Sequence, residues 1–186
     1  MESGRRLDPE RVGDHIDRLY RAAWALCGVR EDAEDLVQET YARVLARPRF
    51  LRNDDDLGYL LRVLRNTFVS DRRARGRRPR LEALPDGVDP ADRGSRFQPE
   101  EEAEARLVYA AIAALPEEFR IVLVAVDVAG LSYGEAARAL SLAEGTVTSR
   151  LFRARQRVAF QLSDKRAPVH ALRPRNRLNP GVHAID

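Results

Sequence analysis

Residues 81–100, LEALPDGVDPADRGSRFQPE, carry no apolar period, and that absence divides the chain in two. Pro85, Gly87, Pro90, Gly94 and Pro99 alternate with Asp86, Asp89 and Asp92. Proline and glycine break helices and the acids favour solvent, so the stretch reads as a flexible acidic linker. Any packed core must lie on either side of it. Both flanks are rich in Ala, Leu, Glu and Arg, with apolar residues three and four apart, the pattern of amphipathic helices. The fold expected is therefore all-α: two small helical domains joined by the linker, the second containing a helix-turn-helix. The expected divisions are a first domain at 1–80, linker at 81–104, second domain at 105–162 and a basic, disordered tail at 163–186. A chain of 186 residues has room for one ordinary domain or two small ones.

On the first flank, Val12, Ile16, Leu19, Tyr20, Ala23, Trp24 and Cys27 predict a helix over 9–29, with Gly28 as its stop. A second helix is expected from Glu31. Its acidic first turn (Glu31, Asp32, Glu34, Asp35) suits the positive end of a helix dipole, and Pro48 ends it. After the polar loop RFLRNDDD, Leu57, Leu60, Leu61, Leu64 and Phe68 mark a third helix, which runs into RRARGRRPR at 72–80.

On the second flank, Leu107, Ala111, Ile112 and Leu115 form one stripe. Pro116, Glu117 and Glu118 read as a helix start, proline at the first helical position and acids in the first turn. That helix is expected to reach Ala129 and to stop at Gly130. Ser132 and Glu135 fit a capping box for a short helix bearing Ala136, Ala137 and Leu140. A tight turn at 141–143 leads into GTVTSRLFRARQR, residues 145–157. Two short helices joined by a tight turn, the second of them basic, outline a helix-turn-helix, whose second helix lies in the DNA major groove. At 3.6 residues per turn Val147, Leu151, Ala154 and Val158 face inward. Thr148, Ser149, Phe152, Arg153 and Gln156 then lie on the other side. Arg150, Arg153, Arg155 and Arg157 have the fork geometry to grip phosphates or a guanine edge. The bland reading is a solvated basic helix at the end of a bundle.

Charge is laid out unevenly. Of 32 basic residues all but Lys165 are arginine, and two basic segments flank the acidic stretch. GC-rich coding explains arginine in place of lysine but not the clustering, which points to a nucleic-acid partner. The single cysteine, Cys27, leaves no internal disulfide and no cysteine-based zinc site, and its helical spacing suits a core position. No apolar run approaches the ~18–20 residues of a membrane span, and nothing reads as a signal peptide, so a cytoplasmic address without membrane insertion is expected. His15, His170 and His183 are isolated, and no phosphate-binding or dinucleotide glycine pattern occurs, so neither catalysis nor a cofactor or metal is expected.

Residues 114–158 closely resemble the C-terminal DNA-binding domain of the extracytoplasmic function (ECF) subgroup of sigma-70 factors. Leu115-Pro116, Phe119-Arg120, Gly130-Leu131-Ser132-Tyr133, Glu135-Ala136-Ala137, Gly145-Thr146-Val147, Ser149-Arg150-Leu151 and Arg153-Ala154-Arg155 match in order and spacing. Ala137 departs from the pattern as a packing change. Residues 31–45 resemble the family helix that docks on the clamp helices of core RNA polymerase, and 59–79 the helix that reads and opens the −10 element.

The resemblance implies a sigma factor with core RNA polymerase and promoter DNA as partners and an anti-sigma factor as regulator. Asp35, Gln38 and Glu39 would form the polymerase-docking edge, or simply serve as ordinary residues of a helix N-terminal half. Phe50 and Asn66 would hold a base flipped from the non-template strand, an act that costs a few kcal/mol of unstacking. Otherwise Phe50 is a core phenylalanine and Asn66 a buried structural amide. Arg62, Arg65, Arg72 and Arg73 would track phosphates of the single strand. Thr146, Thr148, Ser149, Arg150, Phe152, Arg153 and Arg157 would bind the −35 element. The competing functions are a stand-alone regulator using the same helix-turn-helix on operator DNA and an RNA-binding protein using residues 72–80. The first flank discriminates, because an operator binder needs no second basic domain with an acidic docking helix.

Overall fold

A computed structural model describes residues 5–7, 9–46, 50–51, 55–77 and 99–166 of the chain. The linker over 81–98 and the tail beyond 166 lie outside the described residues. A two-residue strand β1 (Arg5–Arg6) pairs antiparallel with β2 (Phe50–Leu51), and the other regular structure among the described residues is helical.

The helix expected over 9–29 is two helices, α1 (Pro9–Gly13) and α2 (Ile16–Cys27). The break follows Gly13, whose backbone freedom disfavours helix. It lets α1 turn so that Val12 is fully buried while Tyr41 donates its hydroxyl to the Val12 carbonyl at 2.9 Å. Ile16, at the start of α2, is thereby left exposed instead of joining the apolar stripe. Gly28 ends α2 in the left-handed conformation (φ 85°), its N–H donating to the Trp24 carbonyl at 2.7 Å. Helix α3 (Arg30–Leu45) packs on α2, and α4 (Asp56–Arg77) packs on α3. Asp55 caps α4, its carboxylate accepting from the Gly58 N–H at 2.8 Å. Leu19, Ala22, Ala23, Ala33, Leu36, Val44, Leu60 and Leu64 form the centre of this first block.

Helix α5 (Pro99–Ala113) begins inside the region expected as linker. The acids at 100–104 that read as solvated linker also suit a helix first turn. Its Leu107 is exposed, so the inward stripe is Ala111, Ile112 and, beyond the helix, Leu115. Helix α6 (Glu117–Leu123) has Pro116 one position before its first residue, as the cap rather than the first helical position. The helix expected to run on to Ala129 widens into one π-helical turn (Val124–Val128), with Ala129 N–H donating to the Val124 carbonyl at 2.9 Å. The Ser132–Glu135 capping box opens α7 (Tyr133–Leu140): the Ser132 hydroxyl accepts from the Glu135 N–H, and the Glu135 carboxylate accepts from the Ser132 N–H at 2.8 Å. The Ser132 hydroxyl, which donates to the same carboxylate oxygen at 2.7 Å, and then the Ser132 N–H hold the Glu135 carboxyl below its usual range. Helix α8 (Glu144–Arg166) packs Val147, Leu151 and Ala154 inward, as their spacing predicts, and extends past residue 162.

The two blocks do not stand apart. Helix α2 packs against α5 and the π turn, and α4 packs against α7, so one apolar cluster runs through both. Trp24 meets Tyr109 with ring centroids 4.5 Å apart, an arrangement worth ~0.5–1.5 kcal/mol beyond the buried area. Arg120, only 8% exposed, crosses the seam. Its guanidinium donates to the Leu115 carbonyl at 2.8 and 3.3 Å and to the Leu26 carbonyl of α2 at 2.8 Å.

Candidate nucleic-acid interface and docking edge

The helix-turn-helix comprises α7, a turn with Ser141 in the left-handed conformation (φ 56°), and α8. Burying the Val147–Leu151–Ala154 stripe forces the opposite side of α8 into solvent, where Thr148, Ser149, Phe152 and Arg153 lie. Phe152 is 62% exposed. The hydroxyls of Thr148 and Ser149 donate back to the carbonyls of Glu144 and Thr146, both at 3.1 Å, and retain acceptor lone pairs. Thr146 is partly buried in the first turn, its N–H donating to the Ala143 carbonyl.

The arginines of α8 divide. Arg153 is exposed on the same side as Phe152. Arg157 lies over the ring of Phe119, 4.5 Å from its centroid. Arg150 is half-buried and approaches Glu118 at 3.8 Å. Arg155 is turned away from the role first given to all four: it forms a two-pronged pair with Asp127 of the π turn at 2.7 and 2.9 Å. Asp127 raises its proton affinity and ties α8 to the body of the block.

On α4 the structure places Asn66 and Arg73 in solvent, lining a shallow groove with Arg65, Val69 and Ser70. Asn66 is thus exposed rather than a buried structural amide, and its side-chain oxygen accepts from Arg65 at 3.4 Å. Arg62 and Arg65 face the second block. Arg62 donates to the carbonyls of Arg138 at 3.0 Å and Ala139 at 3.3 Å, at the C-terminal end of α7. The Arg138 carbonyl also accepts the Ser141 N–H at 3.3 Å, and carbonyls at a helix C-terminus carry the negative end of the dipole, so a cation suits them. Arg65 shares a groove with Pro116, Glu117, Glu118, Leu140 and Arg150. Arg72 lies 5.7 Å from the Phe68 ring centroid and 3.6 Å from a Glu117 oxygen. Phe50 pairs with Arg6 through the backbone of β2, and its side chain lies outside the described residues.

Asp35, Gln38 and Glu39 share one exposed edge of α3. Glu39 is bonded to Arg43 at 2.6 Å, and Arg43 reaches on to the Thr67 hydroxyl at 3.2 Å. The edge borders an open groove of about 940 Å³ whose walls include Asp32, Asp71, Arg72 and Arg75 of the first block and Ala113 and Arg120 of the second. Asp32 and Arg75 bridge α3 and α4 across it at 3.1 and 3.3 Å. Cys27 faces the same groove, half-buried. Burial, with the nearby Asp32 charge, pushes its thiol up to about 12. Among the described residues no group of His, Cys, Asp and Glu could hold a metal, and no helix is long and apolar enough to cross a membrane.

Along the sequence Arg120 and Asp127 look like ordinary helix residues, yet the fold gives each an arginine or backbone contact that bridges elements. Glu117 and Glu118 read only as first-turn acids. Nothing local marks them as partners of arginines, since Arg72 lies 45 positions from Glu117.

An α-helical chain with a helix-turn-helix, an exposed polar and aromatic face on its second helix and an arginine-bearing helix in its first block has the form of a DNA-binding protein. The comparisons agree. Residues 12–78 match the model of sigma-70 region 2, and residues 105–158 that of sigma-70 region 4. The chain is 40% identical to the ECF RNA polymerase sigma factor SigE of Mycolicibacterium smegmatis over 83% of its own length and 61% of that protein's. It is 36% identical to the ECF sigma factor EcfG of Rhodopseudomonas palustris, covering 79% of this chain and 80% of that one. Among solved structures, the sigma factor RpoE of Bartonella quintana, in complex with the anti-sigma factor NepR, superposes with a TM-score of 0.64 at 27% identity, covering 84% and 97% of the two chains. CnrH, in complex with the cytosolic domain of CnrY, shares the fold at a TM-score of 0.59, covering 83% and 86%. The chain belongs to the ECF sigma factors of the sigma-70 family.

Proposed function

We propose that this chain directs core RNA polymerase to promoters and helps to melt them. The observation that carries the reading is the pairing, on one chain, of a helix-turn-helix with a separate block that sets an acidic edge beside an arginine-lined helix. In this reading residues 1–80 dock polymerase and act on the −10 element. Asp35, Gln38 and Glu39 meet the polymerase. Arg62, Arg65, Arg72 and Arg73 follow the single strand, while Phe50 and Asn66 hold the flipped base. Residues 105–162 read the −35 element through Thr146, Thr148, Ser149, Arg150, Phe152, Arg153 and Arg157. Residues 81–98 connect the two, and 167–186 follow as a basic tail.

The chain works in the cytoplasm as a binding subunit, not an enzyme, and an anti-sigma factor regulates it, as the Bartonella relative is held by NepR. The operator-binding alternative accounts for α7 and α8 but leaves the α3 edge and the arginines of α4 without a purpose.

The test is co-elution of the purified chain with bacterial core RNA polymerase, with an Asp35→Arg, Glu39→Arg variant alongside. Co-elution of the parent and its loss in the variant is the expected result. A parent that fails to bind, under conditions where another sigma factor does, overturns the reading in favour of the operator-binding regulator.

A further inference from the structure

Apolar burial seats α8 but sets its rotation only loosely. The buried stripe is Val147, Leu151 and Ala154, and burial has no preferred direction. Rotation matters to the exposed face opposite. At the outer radius of a helix with its side chains, ~5–6 Å, a turn of about 20° moves a side chain by ~2 Å. A hydrogen bond to a base edge tolerates about 0.5 Å. One directional contact lies within a turn of that face. Arg155, three residues past Phe152 and two past Arg153, sets its Nε and Nη2 on the two oxygens of Asp127 at 2.9 and 2.7 Å. Two planar groups joined by two bonds meet in one orientation. Asp127 belongs to the π-helical turn, a form that recurs at functional sites. Tyr133, the first residue of α7, adds its hydroxyl to Asp127 in raising the proton affinity of Arg155. The guanidinium thus joins α8 both to the turn before α7 and to the start of α7.

We infer that the Asp127–Arg155 pair is a positioning device for −35 recognition, setting the rotation of α8 so that Phe152 and Arg153 meet base edges. The inference rests on the −35 role proposed above and names the residues that give that role its accuracy. Stability is not the reason for the pair. Its side chains are 52% and 30% exposed, where an ion pair contributes little. A phosphate contact is not the reason either. The fork of Arg155 is already occupied by a carboxylate, and that carboxylate repels a phosphate brought to the same place.

The experiment uses the full chain bound to core RNA polymerase. The parent complex first selects from random promoter-length duplexes, and the −35 sequence it enriches is then titrated against a scrambled version. Four proteins are compared: the parent, Asp127→Asn, Arg155→Lys and the double variant. Asparagine keeps the shape without the charge, and lysine keeps the charge without the fork. The quantity read is the ratio of the two affinities, enriched over scrambled. Positioning predicts that each single variant lowers this ratio about fivefold or more, the effect of misreading one base pair. The double variant should fall no further, because both changes break one contact. Asp127→Asn should weaken the enriched duplex but not the scrambled one, although losing an acid favours DNA binding in general. An unchanged ratio, or losses that add in the double variant, would overturn the inference. So would equal tightening on both duplexes by Asp127→Asn, which would make Arg155 a phosphate contact. A melting temperature more than about 4 °C below the parent in either single variant would mark the pair as structural and overturn it too. A parent that enriches no −35 sequence defeats the proposed −35 role and the inference with it. Enrichment by the parent with the ratio unmoved in the variants defeats the inference alone.

Discussion

Replacing Arg120 with methionine tests whether the seam between the two blocks is held as the structure indicates. The guanidinium makes three hydrogen bonds, to the Leu115 carbonyl twice and to the Leu26 carbonyl once, and lies 5.8 Å from the Phe68 ring centroid. Among the described residues no carboxylate forms a salt bridge with it; burial and the nearby Arg72 lower its proton affinity. Methionine fills similar space but strands two buried carbonyls, each costing ~1–3 kcal/mol. Removing a desolvated charge returns part of that, ~1–2 kcal/mol, because buried cations are themselves expensive. The net expected loss is about 2–3 kcal/mol. For a chain of this size each kcal/mol moves the melting temperature by ~2–4 °C, so a fall of roughly 4–12 °C is expected. Arg120→Lys should fall between the parent and the methionine variant, since one ammonium cannot reproduce the fork across both carbonyls. Thermal unfolding followed by far-ultraviolet circular dichroism reads all three proteins. A methionine variant melting within about 1 °C of the parent would refute the reasoning and assign the carbonyls to solvent.

Two further outcomes are expected. Arg153→Ala should leave the melting temperature unchanged and weaken −35 duplex binding by ~1–3 kcal/mol if the side chain holds a base edge with two bonds; unchanged affinity, in a titration of polymerase-bound protein on promoter DNA, removes Arg153 from the reading set. Cys27 should alkylate slowly in the folded chain even at pH 9 and rapidly in urea, because burial favours the neutral thiol and pushes it from 9.0 up to about 12. A raised folded value means that this contribution to stability is intact below the unfolded value and is lost as pH rises from there toward about 12. Equal alkylation rates, folded and unfolded, would place Cys27 in solvent.

Much of this protein was determined by the sequence at short range. The Ser132–Glu135 capping box, the stop at Gly28 and the inward stripe of Val147, Leu151 and Ala154 all depend on neighbours within a turn or two, where spacing and backbone preference decide the outcome. The exposed face of α8 was legible for the same reason, since burying one stripe exposes the other. Family motifs located α3 and α4, which periodicity alone would have left as anonymous helices. Local signals were weaker where two outcomes share one composition. The acids at 100–104 suit either linker or helix start, and no local rule announces the π turn that carries Asp127 to Arg155.

What only the tertiary structure decided is which charges meet. Arg62, Arg72, Arg150 and Arg155 look alike along the chain, all suited to phosphate. Their environments separate them: Arg155 is committed to Asp127, Arg62 to the end of α7, and Arg72 and Arg150 to adjacent carboxylates on α6. Arg120 leaves the surface to bond carbonyls 5 and 94 positions away. Helix capping and amphipathic burial are settled by backbone geometry over a few residues. A guanidinium on a long side chain is settled by whichever oxygen the packing of distant helices brings within its reach.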